Sequence, residues 1–537
     1  MTTILSCCFF MGLVAWYSYR RTRGQTGNRD GYFLAGHGLT GTFIAGSLLL
    51  TNLSAEQLIG LNGSAYAFNL SSMAWEVTAA IAIVVMALVL LPRYLSGGFT
   101  TLPEFLESRF DARVRRATAL LFLFGYGLVT IPSVLYSGSL AVMQLFDVPN
   151  LLGLERSQSL QITLWTIGLI GAAYAIFGGL KAVAVSDTLN GIGLLIIGLL
   201  VPILGLVKLG KGDLLAGLSQ LTSVHTEKLN AIGSISDPTP FGTVFTGMIF
   251  ANLFYWGTNQ YVIQRTLGAR SLAQGQKGVL ISGFFKIAVP FLMMIPGVIA
   301  YHLYGPDLVS MDDAYPRLAK DVLPGYLSGF FLAVLLGAVL SSFNSLLNSA
   351  STLFAIDLYQ PLRPHATDDR LIRVARIAGT ILALFSFLIA PLLQYAPEGV
   401  WQLIRKFTGF YNIPIIAIVV MAVFTNRTRY RVPAAGALTA IAFHLCAYGI
   451  LTFAWDSGLH FIHLYAILFA LEILIMAAFA AWQSRSTTCA AVPSVAPAPS
   501  VDMTPWRYAR MTSITLLLAM VGVYVLFSGF GLVGNAE

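Results

Sequence analysis

Charge is scarce in this sequence. Asp, Glu, Lys and Arg make up 10% of its 537 residues, against about 25% in an ordinary soluble protein. That shortage excludes a water-facing surface over most of the chain. Cysteine is scarcer still: Cys7, Cys8, Cys446 and Cys489 are the whole set. None has metal-ligand spacing, and Cys7-Cys8 lies inside an apolar stretch, so all four read as unpaired filler. No catalytic nucleophile, metal cluster or phosphate-binding loop stands out. An enzyme is not expected, and no cofactor is called for. The formal charge is +8, but the basic residues sit in the breaks between apolar runs and form no patch. Nucleic acid is therefore not an expected partner.

What the chain has in abundance is apolar sequence, 56% of all residues. Runs of 18 or more apolar residues recur from end to end, each long enough to cross a ~30 Å hydrocarbon core. The pattern predicts an all-α integral membrane protein with about fourteen spans. They centre near Met11, Leu49, Ile83, Phe124, Ile167, Leu195, Phe254, Phe291, Leu335, Leu384, Ile415, Ala442, Leu468 and Leu518. The first stretch has no small-residue cleavage site and ends in Arg20-Arg21-Thr22-Arg23, which reads as a retained span. With both termini outside, 23 basic residues fall in cytoplasmic breaks and 6 in outer ones. Arg265 counts among the inner set. This asymmetry sets the expected orientation in a bacterial inner (plasma) membrane. Lys286, Arg405 and Lys406 fall within spans. Gly210 to Phe241 is the longest outer loop, and Ala490 to Pro499 is a flexible inner linker.

Two spans interrupt their own apolar pattern. The second reads Leu49-Leu50-Thr51-Asn52-Leu53-Ser54-Ala55-Glu56-Gln57. The seventh reads Phe250-Ala251-Asn252-Leu253-Phe254-Tyr255-Trp256-Gly257-Thr258-Asn259-Gln260. Both place an Asn-Leu pair at mid-membrane depth, five spans apart and so in opposite directions. That is the sign of an inverted repeat built around discontinuous helices, since unwound backbone at that depth must line a site or be buried in protein. The plainer alternative is a pair of polar packing faces. Ionisable residues also appear where they cost roughly 2.5–3.5 kcal/mol each: Glu76, Asp187, Lys286 and Arg405. A structural Glu76–Lys286 ion pair and snorkelling of Lys406 are the plainer readings. The ninth span carries Ser341-Ser342-Phe343-Asn344-Ser345, hard oxygen groups that suit Na⁺ but in isolation are usually packing.

These segments resemble the sodium:solute symporter family, in its sodium/glucose cotransporter branch, and most closely its bacterial sodium/galactose members. The resemblance rests on Asn52 to Gln57, on Ala251 to Gln260 with Gln264-Arg265-Thr266, and on Ser133 to Tyr136. Tyr174 to Gly179 with Asp187, Lys286 to Pro290, Asp313 to Pro316 and Ser341 to Ser349 also fit. It runs from about Gly31 to Thr425. It implies one transporter domain over 1–537, with an inverted five-helix repeat core of the LeuT type. The parts would be a first flanking helix (1–20), repeats at 36–210 and 242–425, and C-terminal flanking helices (430–537).

The resemblance also implies site residues. Sodium would be held at Leu50, Leu53, Ala338, Ser341 and Ser342, with Asp187 close by, and Na⁺ would be the only metal. Leu50 replaces a family Ala. The solute contacts carry over to Asn52, Gln57, Glu76, Asn252, Lys286 and Tyr255, the last as the aromatic that stacks on a pyranose. Arg405 stands where the family has Gln, and Ala79 where it has Ser. Leu61, Trp75 and Trp401 fall at the outer gate. Asn344 and Ser345 occupy the turn that adds oxygens in relatives with a second sodium. The expected function is sodium-coupled import of a sugar or sugar-like solute by alternating access. The partners are that solute, sodium and lipid, with no obligate protein partner. Proton coupling through Asp187 or Glu76, an acidic-sugar substrate admitted by Arg405, a passive channel and a membrane solute sensor are the competing readings.

Overall fold

The computed structural model describes residues 2–22, 29–308, 310–395, 400–425, 431–455, 457–486 and 501–534. Helices account for nearly all of them, and the only β pairing among them is two isolated bridges. Among the described residues, ten helices are long and apolar enough to cross a bilayer. They fall at ten of the fourteen expected positions. The second and seventh positions are missing from that set because the helix breaks there.

The second-position segment is α2 (Gly41–Asn52) followed by α3 (Ala55–Ala67), where α1 is Thr2–Thr22. Leu53 leaves the helix at φ −80°, ψ 77°, and Ser54 is extended at φ −85°, ψ 166°. The Ser54 hydroxyl then accepts from the Gln57 amide at 3.5 Å. Ser-x-x-Gln is a helix-start signature, so the sequence itself restarts the helix here. Glu76 lies on α4, the single turn Ala74–Val77.

The helical segment α5 (Arg156–Leu209) covers two expected spans. A straight rod of 54 residues would be about 81 Å long. Yet Gly171 lies against Leu340 and Phe343, while Asn190 lies against Gly337 of the same long helix. The two halves therefore stand side by side. The side chains of residues 173–183, Tyr174 and Lys181 among them, lie outside the described residues.

The seventh position holds α6 (Gly247–Gly257) and α7 (Gln260–Leu267). The break is at Thr258–Asn259, where Thr258 has φ −137°, ψ −17° and Asn259 has φ −68°, ψ 118°. It lies inside the interrupted stretch Phe250 to Gln260, six residues past Asn252. Asn252 stays helical because its amide donates across to the Thr78 hydroxyl at 2.9 Å. The start of α7 is capped from another span: the Tyr126 hydroxyl accepts from the Tyr261 amide at 3.3 Å and donates to the Asn259 side chain. One of the orphan donors of a helix start is thereby satisfied.

Next come α8 (Leu272–Met293), α9 (Ser328–Thr352), α10 (Val400–Thr425), α11 (Ala434–Gly449) and α12 (Phe461–Ser486). The span containing α9 has 83% of its apolar window buried, whereas Ala509–Leu526 has 17%. The ninth span is thus the centre of the molecule and the last is peripheral. Close approach at the centre needs small residues: a Cβ on Gly337 would stand 2.6 Å from Asn190 Cγ.

The far end of the ninth span is tied down by charge. Arg115 donates to Asp357 at 2.8 Å and to the Ile356 carbonyl at 2.8 Å, and it also pairs with Glu107. The Thr101 hydroxyl adds a bond to Asp357 at 2.9 Å. Asp357 is fully buried. Removing one partner of a buried pair costs about 3–5 kcal/mol. Arg115→Ala is therefore expected to lower the thermal unfolding midpoint in detergent by several degrees. Adding Asp357→Asn should recover most of the loss; no recovery would mean that the pair carries no such load.

Candidate functional site

The broken helices, α4, α8 and α10 surround a small polar cavity of about 30 Å³. All seven residues assigned to the solute line it: Asn52, Gln57, Glu76, Asn252, Tyr255, Lys286 and Arg405. Glu76 accepts from Gln57 Nε2 at 2.9 Å through one oxygen and pairs with Lys286 through the other. Both members of this ion pair are at least 96% buried. The plainer reading of a structural pair and the reading of a binding site are thus met by the same two side chains. Lys286 also stands 5.8 Å from the Trp256 ring centre. The Tyr255 hydroxyl hydrogen-bonds the side chains of Tyr261 and Asn52.

Arg405 lies 4.5 Å from the centre of the Trp75 ring, a cation–π contact at the cavity wall. Trp75, assigned to the outer gate, lines the same cavity. Leu61 does not line it; it is fully buried in α3 within the main hydrophobic cluster. The side chain of Trp401 lies outside the described residues.

Five lining residues were not assigned a role from the sequence: Ala251, Trp256, Thr408, Asn412 and Tyr465. Arg405, Thr408 and Asn412 are spaced three and four apart, which puts them on one face of α10. That polar stripe in an apolar span was a readable signal. Tyr465 comes from flanking α12, where its hydroxyl donates to the Arg405 carbonyl at 2.6 Å, and nothing in its local sequence marks it. The buried amide oxygens of Asn52, Gln57 and Asn412 have no hydrogen-bond partner among the described residues. Three acceptors in one cavity suit a ligand rich in hydroxyl donors.

A second cavity of about 50 Å³ shares Asn52, Gln57, Tyr255, Arg405, Thr408 and Asn412 with the first and extends to Ser54 and Ser342. The break in the second span and Ser342 of the ninth therefore face one space. At the break, the Leu53 amide bonds the Leu49 carbonyl at 2.7 Å, and the Ser54 amide bonds the Asn52 carbonyl at 3.0 Å. No such turn bond reaches the carbonyls of Leu50 and Leu53 among the described residues; the Leu50 side chain is outside them. The open carbonyls of Leu50 and Leu53 and the hydroxyl of Ser342 are hard oxygen donors, of the kind that fits Na⁺. Ala338 lies one turn before Ser341, buried in α9.

Asp187 is fully buried and both of its oxygens are engaged. Ser341 donates to one and Ser47 to the other, the latter at 2.8 Å. Arg265 reaches the same carboxylate at 3.6 Å. This corrects the placing of Arg265 in a cytoplasmic break. It belongs to α7, is fully buried, and donates to Ser47 at 2.8 Å, to Ser345 and to the Tyr261 carbonyl. A charge inside the protein finds its counter-ion there, which a count of loop charges does not reveal.

A polar chamber walled by two interrupted helices inside an all-helical membrane fold defines a solute carrier. The model of the sodium:solute symporter family matches residues 32–443. The chain belongs to that family, and sodium is its coupling ion. It is 43% identical over 532 residues to an uncharacterised symporter of Escherichia coli, YidK, covering 98% of this chain and 91% of that one. It is 31% identical over 468 residues to a sodium/glucose cotransporter of Vibrio parahaemolyticus, covering 83% and 84%. Among solved structures, a Na⁺-coupled sialic acid symporter in a substrate-bound outward-open state superposes with a TM-score of 0.77 at 20% identity, over 90% of this chain and 98% of that one. That likeness supports the fold.

Proposed function

We propose that the protein imports a sugar or sugar-like solute by sodium-coupled alternating access. The observation that carries this is a pair of adjoining cavities, one walled by Glu76, Lys286 and Tyr255 and the other reaching Ser342, with Asn52, Gln57, Tyr255, Arg405, Thr408 and Asn412 common to both. Hydroxyls need fixed donors and acceptors, and a pyranose face needs an apolar plate. Asn52, Gln57, Glu76, Asn252 and Lys286 supply the first, and Tyr255 the second. Sodium held by the carbonyls of Leu50, Leu53 and Ala338 and the hydroxyls of Ser341 and Ser342 ties α9 to the broken helix. That tie favours the solute-ready state, so coupling is differential affinity between two states. We assign the two breaks to inverted repeats at 36–210 and 242–425, with both termini outside a bacterial inner membrane.

One Na⁺ crossing 100 mV releases about 2.3 kcal/mol, and a tenfold gradient adds about 1.4 kcal/mol. Together they sustain roughly a 500-fold solute gradient. Proteoliposomes with an imposed sodium gradient are expected to accumulate at least one hexose or polyol, and to stop when K⁺ replaces Na⁺. Uptake indifferent to sodium for every sugar tried would end the proposal. A second reading has one observation in its favour: the lining holds two cations, Lys286 and Arg405, against one carboxylate, Glu76. Uronates and sulfated sugars belong in the same screen, and preference for them over neutral analogues would select it.

A further inference from the structure

The stretch of α10 that lines the solute cavity is held from behind. Tyr465 of α12 donates its hydroxyl to the Arg405 carbonyl at 2.6 Å, and Tyr448 of α11 donates to the Lys406 carbonyl at 2.7 Å. His444 of α11 reaches the Gly409 carbonyl through Nε2 at 3.0 Å. Helical carbonyls already accept from the amide four residues on, so these bonds are additional ones. Together they grip α10 over little more than one turn. Gly409 makes the approach possible: a Cβ there would stand 2.4 Å from Tyr448 Oη and 2.7 Å from Tyr465 Cε1. We infer that His444, Tyr448 and Tyr465 are positioning residues that set how Arg405, Thr408 and Asn412 face the solute, so that solute affinity is fixed in part from α11 and α12. All three lie beyond residue 443, where the match to the family model ends.

The grip is itself braced. His444 and Glu472 are both fully buried, and His444 Nδ1 pairs with Glu472 Oε1, joining α11 to α12. The Gly409 carbonyl can only accept, so Nε2 carries a proton. Nδ1 is then either protonated opposite a carboxylate or accepts from a protonated Glu472. Both forms hold the same number of protons, and both aim Nε2–H at α10. Glu472 thus fixes the tautomer and the direction of the ring. A glutamine can do the same through its amide N–H; a leucine cannot. Neither His444 nor Tyr448 lines the two cavities, so an effect of either on the solute passes through α10.

The inference rests on the sugar-import reading, but its first test needs no solute. Hydrogen–deuterium exchange of the full-length chain in nanodiscs reads the α10 amides directly. His444→Phe with Tyr448→Phe should speed exchange in α10 several-fold and leave α8 and α9 unchanged. Tyr448→Phe alone should act on the same helix if the double variant does not fold. Unchanged exchange in α10 would overturn the grip, and a rise spread over all spans would reduce it to general stability. The second test is sodium-driven uptake of D-glucose, D-galactose, D-mannitol and D-glucuronate into proteoliposomes. Tyr448→Phe, Gly409→Ala and Glu472→Leu should each raise KM about five- to tenfold with kcat within about twofold, while Glu472→Gln should behave like the unaltered chain. A fall in kcat at constant KM, or equal damage from Glu472→Gln and Glu472→Leu, would overturn the positioning role. Failure of the unaltered chain to take up any of the four would count against the import reading, and the exchange result would still decide the grip.

Discussion

Replacing Lys286 by alanine is expected to abolish solute uptake and to destabilise the folded chain together. Glu76 would remain 99% buried with its Gln57 bond and no counter-ion. Stranding one charge of such a pair costs about 3–5 kcal/mol, a large share of a typical folding stability. The two losses can be separated. Glu76→Gln with Lys286→Met removes both charges at similar volume and should recover most of the unfolding midpoint. Uptake should stay absent, because the solute has lost a donor and an acceptor at once. A double variant that transports normally would show the pair to be scaffold and nothing more.

Ser342→Ala is expected to raise the sodium concentration for half-maximal uptake about tenfold or more, equivalent to about 1.4 kcal/mol or above. Ser341→Ala should be worse. Its hydroxyl donates to the buried Asp187 besides the sodium-ligand role proposed for it, and loss of that bond leaves a charged acceptor short of a partner. Uptake titrated with Na⁺ at fixed solute, beside a thermal unfolding scan, distinguishes the two variants. Ser342→Ala should shift only the first measurement, and Ser341→Ala both. An unshifted sodium dependence in both variants would remove sodium from the serine pair.

The spans were legible because hydrocarbon demands length and apolarity, and both are local properties. The break in the second span was legible for a similar reason: Ser54 and Gln57 write a helix start into the sequence. The seventh-span break falls inside the expected stretch Phe250 to Gln260, at Thr258–Asn259, but which of its polar residues mark the break was not legible, because a polar side chain in a membrane helix has two uses. Asn252 is employed in a cross-helix bond to Thr78, not in breaking its own helix. Arg265 was misplaced because its partner Asp187 is remote in sequence, and no local pattern reports a distant counter-ion. Seven residues of the cavity lining were legible through family resemblance. Tyr465 was not, since it reaches the chamber from a flanking helix. Leu61 carries a gate assignment, yet it packs into the main core.

The cap that Tyr126 provides has a bearing on assembly. A helix of eight residues is too short to persist alone, and the first turn of α7 borrows its hydroxyl from a span made much earlier in synthesis. The fourth span must therefore already be seated when the seventh arrives. Until they meet, Arg265 has no finished helix to hold it beside Asp187. The carrier's ion chemistry is thus completed by docking between the two halves of the chain, and neither half makes it alone.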